Sequence, residues 1–136
     1  MRKHGHMVID PWEGGEVTSE DFKKVEEIPH PEKMSELKRL NHRIGDANRR
    51  SIEGVEVVVA VLDGSDVDSG TASEIGFAFA RGKTIFGYRG DIRLSGENEA
   101  TVVNLQVQYW IEESGGGEGK MVRNIPDLLC ALDSHS

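Results

Sequence analysis

Between residues 31 and 51 apolar side chains recur at Met34, Leu37, Leu40, Ile44 and Ala47. Those spacings of three and four predict an amphipathic helix with one buried stripe. Val55 to Leu62 lacks such a period and is apolar apart from Glu56, the pattern of a parallel strand covered on both faces and placed centrally in a sheet. Helical character returns from Gly70 to Arg81, where Ala72, Gly76, Ala78 and Ala80 allow close packing and Ile75 and Phe79 supply bulk. Gly82 closes that helix as its C′ residue. Thr84 to Tyr88 is the next strand, and a polar loop over residues 89–99 carries Asp91 and Arg93. Ala100 to Glu113 predicts a helix with Val103, Leu105 or Gln106, Val107 and Trp110 as inward positions. Gly115 to Gly119 predicts a flexible break, Lys120 to Val122 an edge strand, and Ile125 to Leu132 a terminal helix with Pro126 tolerated in its first turn. Strands alternating with helices predict an α/β layered fold.

The chain's beginning is less regular. Met1 to Gly5 reads as the end of a helix, and Met7 to Asp10 as a short strand halted by Pro11. His4 to Met7 also fits the remnant of an expression tag. From Glu13 to His30 the sequence is acidic and loop-like, suited to covering a site, with Thr18 to Asp21 predicting a capping box for a short helix through Phe22 and Val25.

Bulk properties narrow the picture. At 136 residues, residues 1–136 are expected to form a single domain. The 16 Lys and Arg against 24 Asp and Glu give a formal charge of −8, which disfavours a nucleic-acid partner. The one cysteine, Cys130, excludes an internal disulfide and is expected to be a buried, inert thiol. His4, His6, His30, His42 and His135 have no metal-ligand spacing, so no metal is expected and the histidines are expected at the surface. No apolar run approaches the ~18 residues needed to span a bilayer and no signal region is evident, which predicts a cytoplasmic protein without a membrane partner.

Candidate chemistry concentrates between Val57 and Arg93, a strand, an acidic loop, a helix and a second strand. Asp63, Asp66 and Asp68 lie just past the first of these strands, where open α/β sheets place ligand sites. Glu74 is expected in the first turn of the following helix, kept ionised by the helix dipole as a nucleophile must be. Thr71 to Glu74 is equally a capping-box pattern, and local sequence does not separate the two. The aspartates are also turn formers, Asp66 above all. Asn48, four residues from both Ile44 and Ile52, lies on the inward side of its helix, whereas Asp46 points about 200° away from Ile44. Tyr88, Arg89, Asp91 and Arg93 follow the second strand at its C-terminal end and are candidates to line a pocket, with ion pairing between Asp91 and Arg93 as the competing role.

The run Asp68-Ser69-Gly70-Thr71-Ala72-Ser73-Glu74-Ile75-Gly76, then Gly82-Lys83 and Gly87-Tyr88-Arg89-Gly90-Asp91-Ile92-Arg93, resembles the core motif of the nucleoside 2-deoxyribosyltransferase family. Residues 57–93 carry the strong motifs, and a looser similarity covers nearly the whole chain. The resemblance implies a flavodoxin-like, Rossmann-like parallel sheet with flanking helices and no cofactor. It implies that Glu74 attacks the anomeric carbon of a deoxyribonucleoside, expels the base and holds a deoxyribosyl ester that a free nucleobase, or water, then opens. It implies further that Asp68 bonds a sugar hydroxyl and that Asn104 and Gln106 serve a neighbouring subunit's pocket in a homo-oligomer with a shared site; Asp63, Gly70, Thr71, Tyr88, Asp91 and Arg93, by their place in the loops and first turn beside these residues, are the further substrate-binding candidates.

Two departures stand out. Asn48 occupies a position where relatives carry an aspartate that handles the leaving base's proton, and an amide cannot deliver one. The family also opens with a strand and helix that this sequence lacks, a βα unit of roughly 25 residues, as if through a late start or truncation that costs the sheet an inner strand. Alternatives to transfer are hydrolysis of a 2′-deoxynucleoside 5′-phosphate, which the charge of Asp68 would oppose, and a catalytically weak nucleoside-binding or sensory module.

Overall fold

The computed structural model describes residues 5–8 and 17–135. The chain divides into two compact units, Met1–Gly54 and Val55–Ser136. In the first, helix α1 (Ser19–Glu26) packs on the long helix α2 (Glu32–Glu53). The predicted cap is present where α1 begins: the Asp21 carboxylate accepts from the Thr18 backbone N–H at 2.8 Å, and that bond is the main cause holding its pKa below the ordinary value. Val25 and Leu40 are buried, whereas Met34, expected on the buried stripe, is 49% exposed because it sits in the first turn and a half of α2. Exposed ion pairs lace the end of α2, Arg49 to Asp46 and Glu53 and Arg50 to Asp46; solvent screening leaves such pairs a minor part in stability. Most of the expected helix end at Met1–Gly5 and half of the strand at Met7–Asp10 lie outside the described residues; Met7 and Val8 themselves form no strand.

The second unit carries strands β1 (Val57–Val61), β2 (Thr84–Tyr88) and β3 (Lys120–Val122), with helices α3 (Ser69–Ala80), α4 (Leu105–Gly117) and α5 (Ile125–His135). The sheet runs β1-β2-β3, both pairings parallel, with Val59 opposite Phe86 and Phe86 opposite Lys120. This is an open α/β sheet of flavodoxin-like kind, but among the described residues β1 is not central as expected. Among the described residues it pairs only with β2, Val57 to Val59 are half-buried and Val61 is exposed. Full burial belongs to β2, from Thr84 to Gly87. An apolar run records how much a strand could bury, not how many neighbours it has.

Side chains alternate across a strand, and both faces of β2 are used. On one, Phe86 packs with Val122 of β3 and Leu128, Ala131 and Leu132 of α5, flanked by Val57, Val59 and Tyr88. On the other, α3 and α4 approach through Ile75, Ala78 and Ile111, all buried. Gly87 permits this approach: a Cβ there would stand 2.8 Å from Ile111 Cδ1 and 2.9 Å from Leu62 Cδ1.

Helix α3 ends in a Schellman motif, with Gly82 N–H on Phe79 O and Lys83 N–H on Ala78 O, both at 3.0 Å, and Gly82 at φ 74°. Helix α4 starts five residues later than expected, because Asn104 caps it by accepting from the N–H groups of Gln106 and Val107. Its buried stripe is Val107, Ile111 and Ser114, while Leu105 and Gln106 are exposed. The predicted break falls at Gly115, Gly116 and Gly117, all at positive φ. Just before it, the buried Ser114 hydroxyl accepts from Ile85 N–H at 2.8 Å and donates to Ile111 O at 2.6 Å. Ile85 precedes the first residue of β2 that pairs with β3, so this hydroxyl supplies the bond the short strand does not. Helix α5 extends to His135, and Cys130 on it is exposed rather than buried: the buried face of α5 is Leu128, Ala131 and Leu132. No helix among the described residues is long and apolar enough to cross a membrane.

Candidate active site

The loop from β1 to α3 turns on Asp68. Its carboxylate accepts from the Thr71 backbone N–H at 3.0 Å and from the Thr71 hydroxyl at 3.3 Å, so Asp68 is the N-cap of α3. Consequently the helix begins at Ser69, and Glu74 stands in its second turn rather than its first. The Thr71–Glu74 capping box does not form. The macrodipole's influence fades beyond the first turn, so it no longer accounts for an ionised Glu74. The half-buried Glu74 carboxyl is instead pushed above its ordinary range, chiefly by burial and then by the like charge of Asp68. A desolvated carboxylate facing a second carboxylate is high in energy when ionised, which suits attack on an electrophilic carbon. Gly70 and Thr71 complete the first turn, and a Cβ at Gly70 would stand 3.1 Å from Asp68 Oδ2.

Two loops at the C-terminal end of the sheet are laced together. Asp63 Oδ1 accepts from Gly90 N–H at 2.7 Å and Asp91 N–H at 2.9 Å. Asp91 accepts from Gly64 N–H at 3.4 Å and pairs with Arg93 at 2.6 Å; the Arg93 bonds hold its carboxyl far below the usual carboxylate range. Arg89, a candidate to line the pocket, is instead fully buried. It donates from Nη1 to Leu62 O at 2.5 Å and Gly64 O at 3.0 Å, and from Nη2 and Nε to Arg93 O at 2.7 and 3.2 Å. Arginine is normally exposed, so nothing in the local sequence marks it for this place. Asp66 bonds the adjacent Val67 N–H at 2.8 Å, as a turn former does. Tyr88 ends β2, half-buried, against the α5 side of the core.

Asn104 and Gln106 lie at the start of α4. The Asn104 amide donates to Glu97 Oε1 at 2.7 Å, and Glu97 Oε2 accepts from Leu105 N–H at 2.6 Å. Asn48 is half-buried on α2, in the first unit. Among the described residues no cluster of three or more His, Cys, Asp or Glu side chains is placed to hold a metal ion. A cavity of about 390 Å³ beside the start of β3 is lined by Phe86, Glu118, Lys120, Ala131, Ser134 and His135, and includes none of the candidate site residues. Glu118 and His135 pair across it at 2.9 Å.

An open parallel sheet with flanking helices defines an α/β protein, and the candidate carboxylates lie on the loops and helix that follow its strands, where such sheets place their ligand sites. The family profile described as nucleoside 2-deoxyribosyltransferase matches residues 1–106, and the chain belongs to that family. Among solved structures, a conserved protein from Enterococcus faecalis V583 is similar, with 21% identity and a TM-score of 0.58 over 99% of this chain and 76% of that one. At that identity the likeness bears on the fold alone. No curated protein matches the chain.

Proposed function

We propose that the chain transfers a 2-deoxyribosyl group between nucleobases through a covalent ester on Glu74. A Glu74 oxygen attacks C1′ as the C1′–N bond breaks, and the departing base keeps that electron pair and gains a proton. A nitrogen of a second base then attacks C1′ from the other side, displaces the carboxylate and gives up its proton to the group that protonated the first base, so two inversions retain the anomeric configuration. Asp68 holds a sugar hydroxyl. Its use as a helix cap leaves it capacity to do so, because a carboxylate has about four acceptor positions. Asn48 cannot supply the base's proton, which falls to another group. Asn104 is the residue one copy lends to another; an amide nitrogen carries two hydrogens, and the Glu97 bond uses one.

The observation that supports this reading best is the pairing on α3 of a partly desolvated Glu74 with the Asp68 carboxylate at the helix cap, inside the matched family region. The test is incubation with a deoxyribonucleoside, with and without a free acceptor base, followed by chromatography of the products. Base exchange that needs the acceptor supports transfer. Release of free base regardless of acceptor points to hydrolysis, and saturable binding without turnover to a binding module.

The electrostatics add an expectation. Ionised Glu74 is the active form, so the acid limb of kcat/KM should lie above the range of an ordinary glutamate. Asp68→Asn keeps an oxygen for the cap and removes the like charge that raises Glu74. That limb should therefore move to lower pH in the variant, whatever the drop in overall rate; a limb that stays or rises would refute the coupling.

A further inference from the structure

We propose that Arg89 is a positioning residue, a buried fork that fixes the rim of this site by tying the loop after β1 to the loop after β2. The inference rests on the reading of Glu74 and Asp68 as the reacting centre, and it assigns that centre a support at a distance. The Arg89 side chain has no exposure, so it touches no substrate. Its hydrogen bonds all end on backbone carbonyls: Leu62 and Gly64 on one loop, Arg93 on the other. The first loop leads directly to the cap at Asp68, and the second carries Asp91. Around the fork, Asp63 receives two N–H groups from the second loop, and Asp91 receives one from the first. Arg123, just after β3, adds a further bond, donating to Asp91 O at 2.7 Å.

A guanidinium suits this task where an ammonium does not. Its five donors lie in one plane and reach carbonyls in three directions, whereas lysine offers a single hydrated point charge. Arg89→Lys should keep the charge and lose the fork. Misplacement by about 1 Å can cost on the order of 10²-fold in rate. A fall of that size is expected in kcat, with a much smaller change in KM, because the groups that bind the substrate remain present but are held less rigidly.

The experiment pairs two readouts. Hydrogen exchange should show the amides of Gly64, Gly90 and Asp91 protected in the unaltered chain and exchanging faster in Arg89→Lys, with the α3 amides from Ile75 to Ala80 unchanged. In base exchange, Arg89→Ala should regain activity with millimolar guanidinium and not with ammonium at equal ionic strength, a response that general destabilisation would not give. Fast exchange at those three amides in the unaltered chain, equal exchange in the lysine variant, or a loosened rim with kcat intact would each overturn the assignment. If the unaltered chain turns over no deoxyribonucleoside, the transfer reading fails by itself, while the exchange rates still decide whether Arg89 holds the rim.

Discussion

Glu74→Gln is expected to abolish base exchange and at the same time to stabilise the folded chain at neutral pH. Glutamine has nearly the same shape but no anionic oxygen to form the ester, and removing a nucleophile that works with partners costs at least about 10⁴-fold. The gain in stability follows from the direction of the pKa shift. Burial and the Asp68 charge raise Glu74 in the folded chain, whereas the unfolded chain titrates near 4.3. Between the two values the folded state binds more protons, so stability falls as pH rises through that window and stays lower above it. Glutamine carries no such penalty. Its melting temperature should exceed that of the unaltered chain at pH 7.5, and the difference should close below about pH 4. A variant less stable at neutral pH would show that Glu74 is held by favourable bonds rather than by strain.

Gly119→Ala should have the largest effect on stability. A Cβ at this position would stand 2.0 Å from Ile111 O, 2.0 Å from the Ser114 hydroxyl and 2.7 Å from Ile85 O. Two of those atoms are backbone, which cannot swing away as a flexible side chain would. Relief requires moving the end of α4 from the sheet, breaking the Gly119 N–H bond to Ser114 O at 3.1 Å and the two short bonds of the Ser114 hydroxyl. Ile85 N–H would then be buried without a partner, at about 1–3 kcal/mol, added to overpacking of about 1–3 kcal/mol. A loss of about 2–6 kcal/mol is expected, a fall in melting temperature of about 6 °C or more. Thermal unfolding followed by circular dichroism would measure it, and a shift under about 2 °C would show that the glycine is not needed for fit.

Much of this architecture was legible in the chain because it rests on local period. The apolar spacing of α2, the small residues and closing glycine of α3, and the buried strand Thr84–Tyr88 all lie where the pattern places them. What was not legible depends on contacts between distant residues. The apolar spacing from Val103 onward draws Ala100 to Val103 into the expected helix, yet α4 waits for Asn104, where Glu97, seven and eight residues back, receives the amide and the first N–H. Choosing Asp68 over Thr71 as the cap of α3 required knowing the loop's path, and it moved Glu74 by a turn. Cys130 sits in an apolar run but on the outer side of α5. The edge position of β1 among the described residues and the burial of Arg89 carry no signature in residue type.

The lacing of the two loops bears on how a ligand is admitted. If the proposed site opens between these loops, Asp63, Asp91 and Arg89 fix its mouth when the chain folds, and little backbone freedom is left to lose on binding a nucleoside. Titration calorimetry should accordingly find a small entropic penalty, and a donor and an acceptor base should meet the same preset opening in turn.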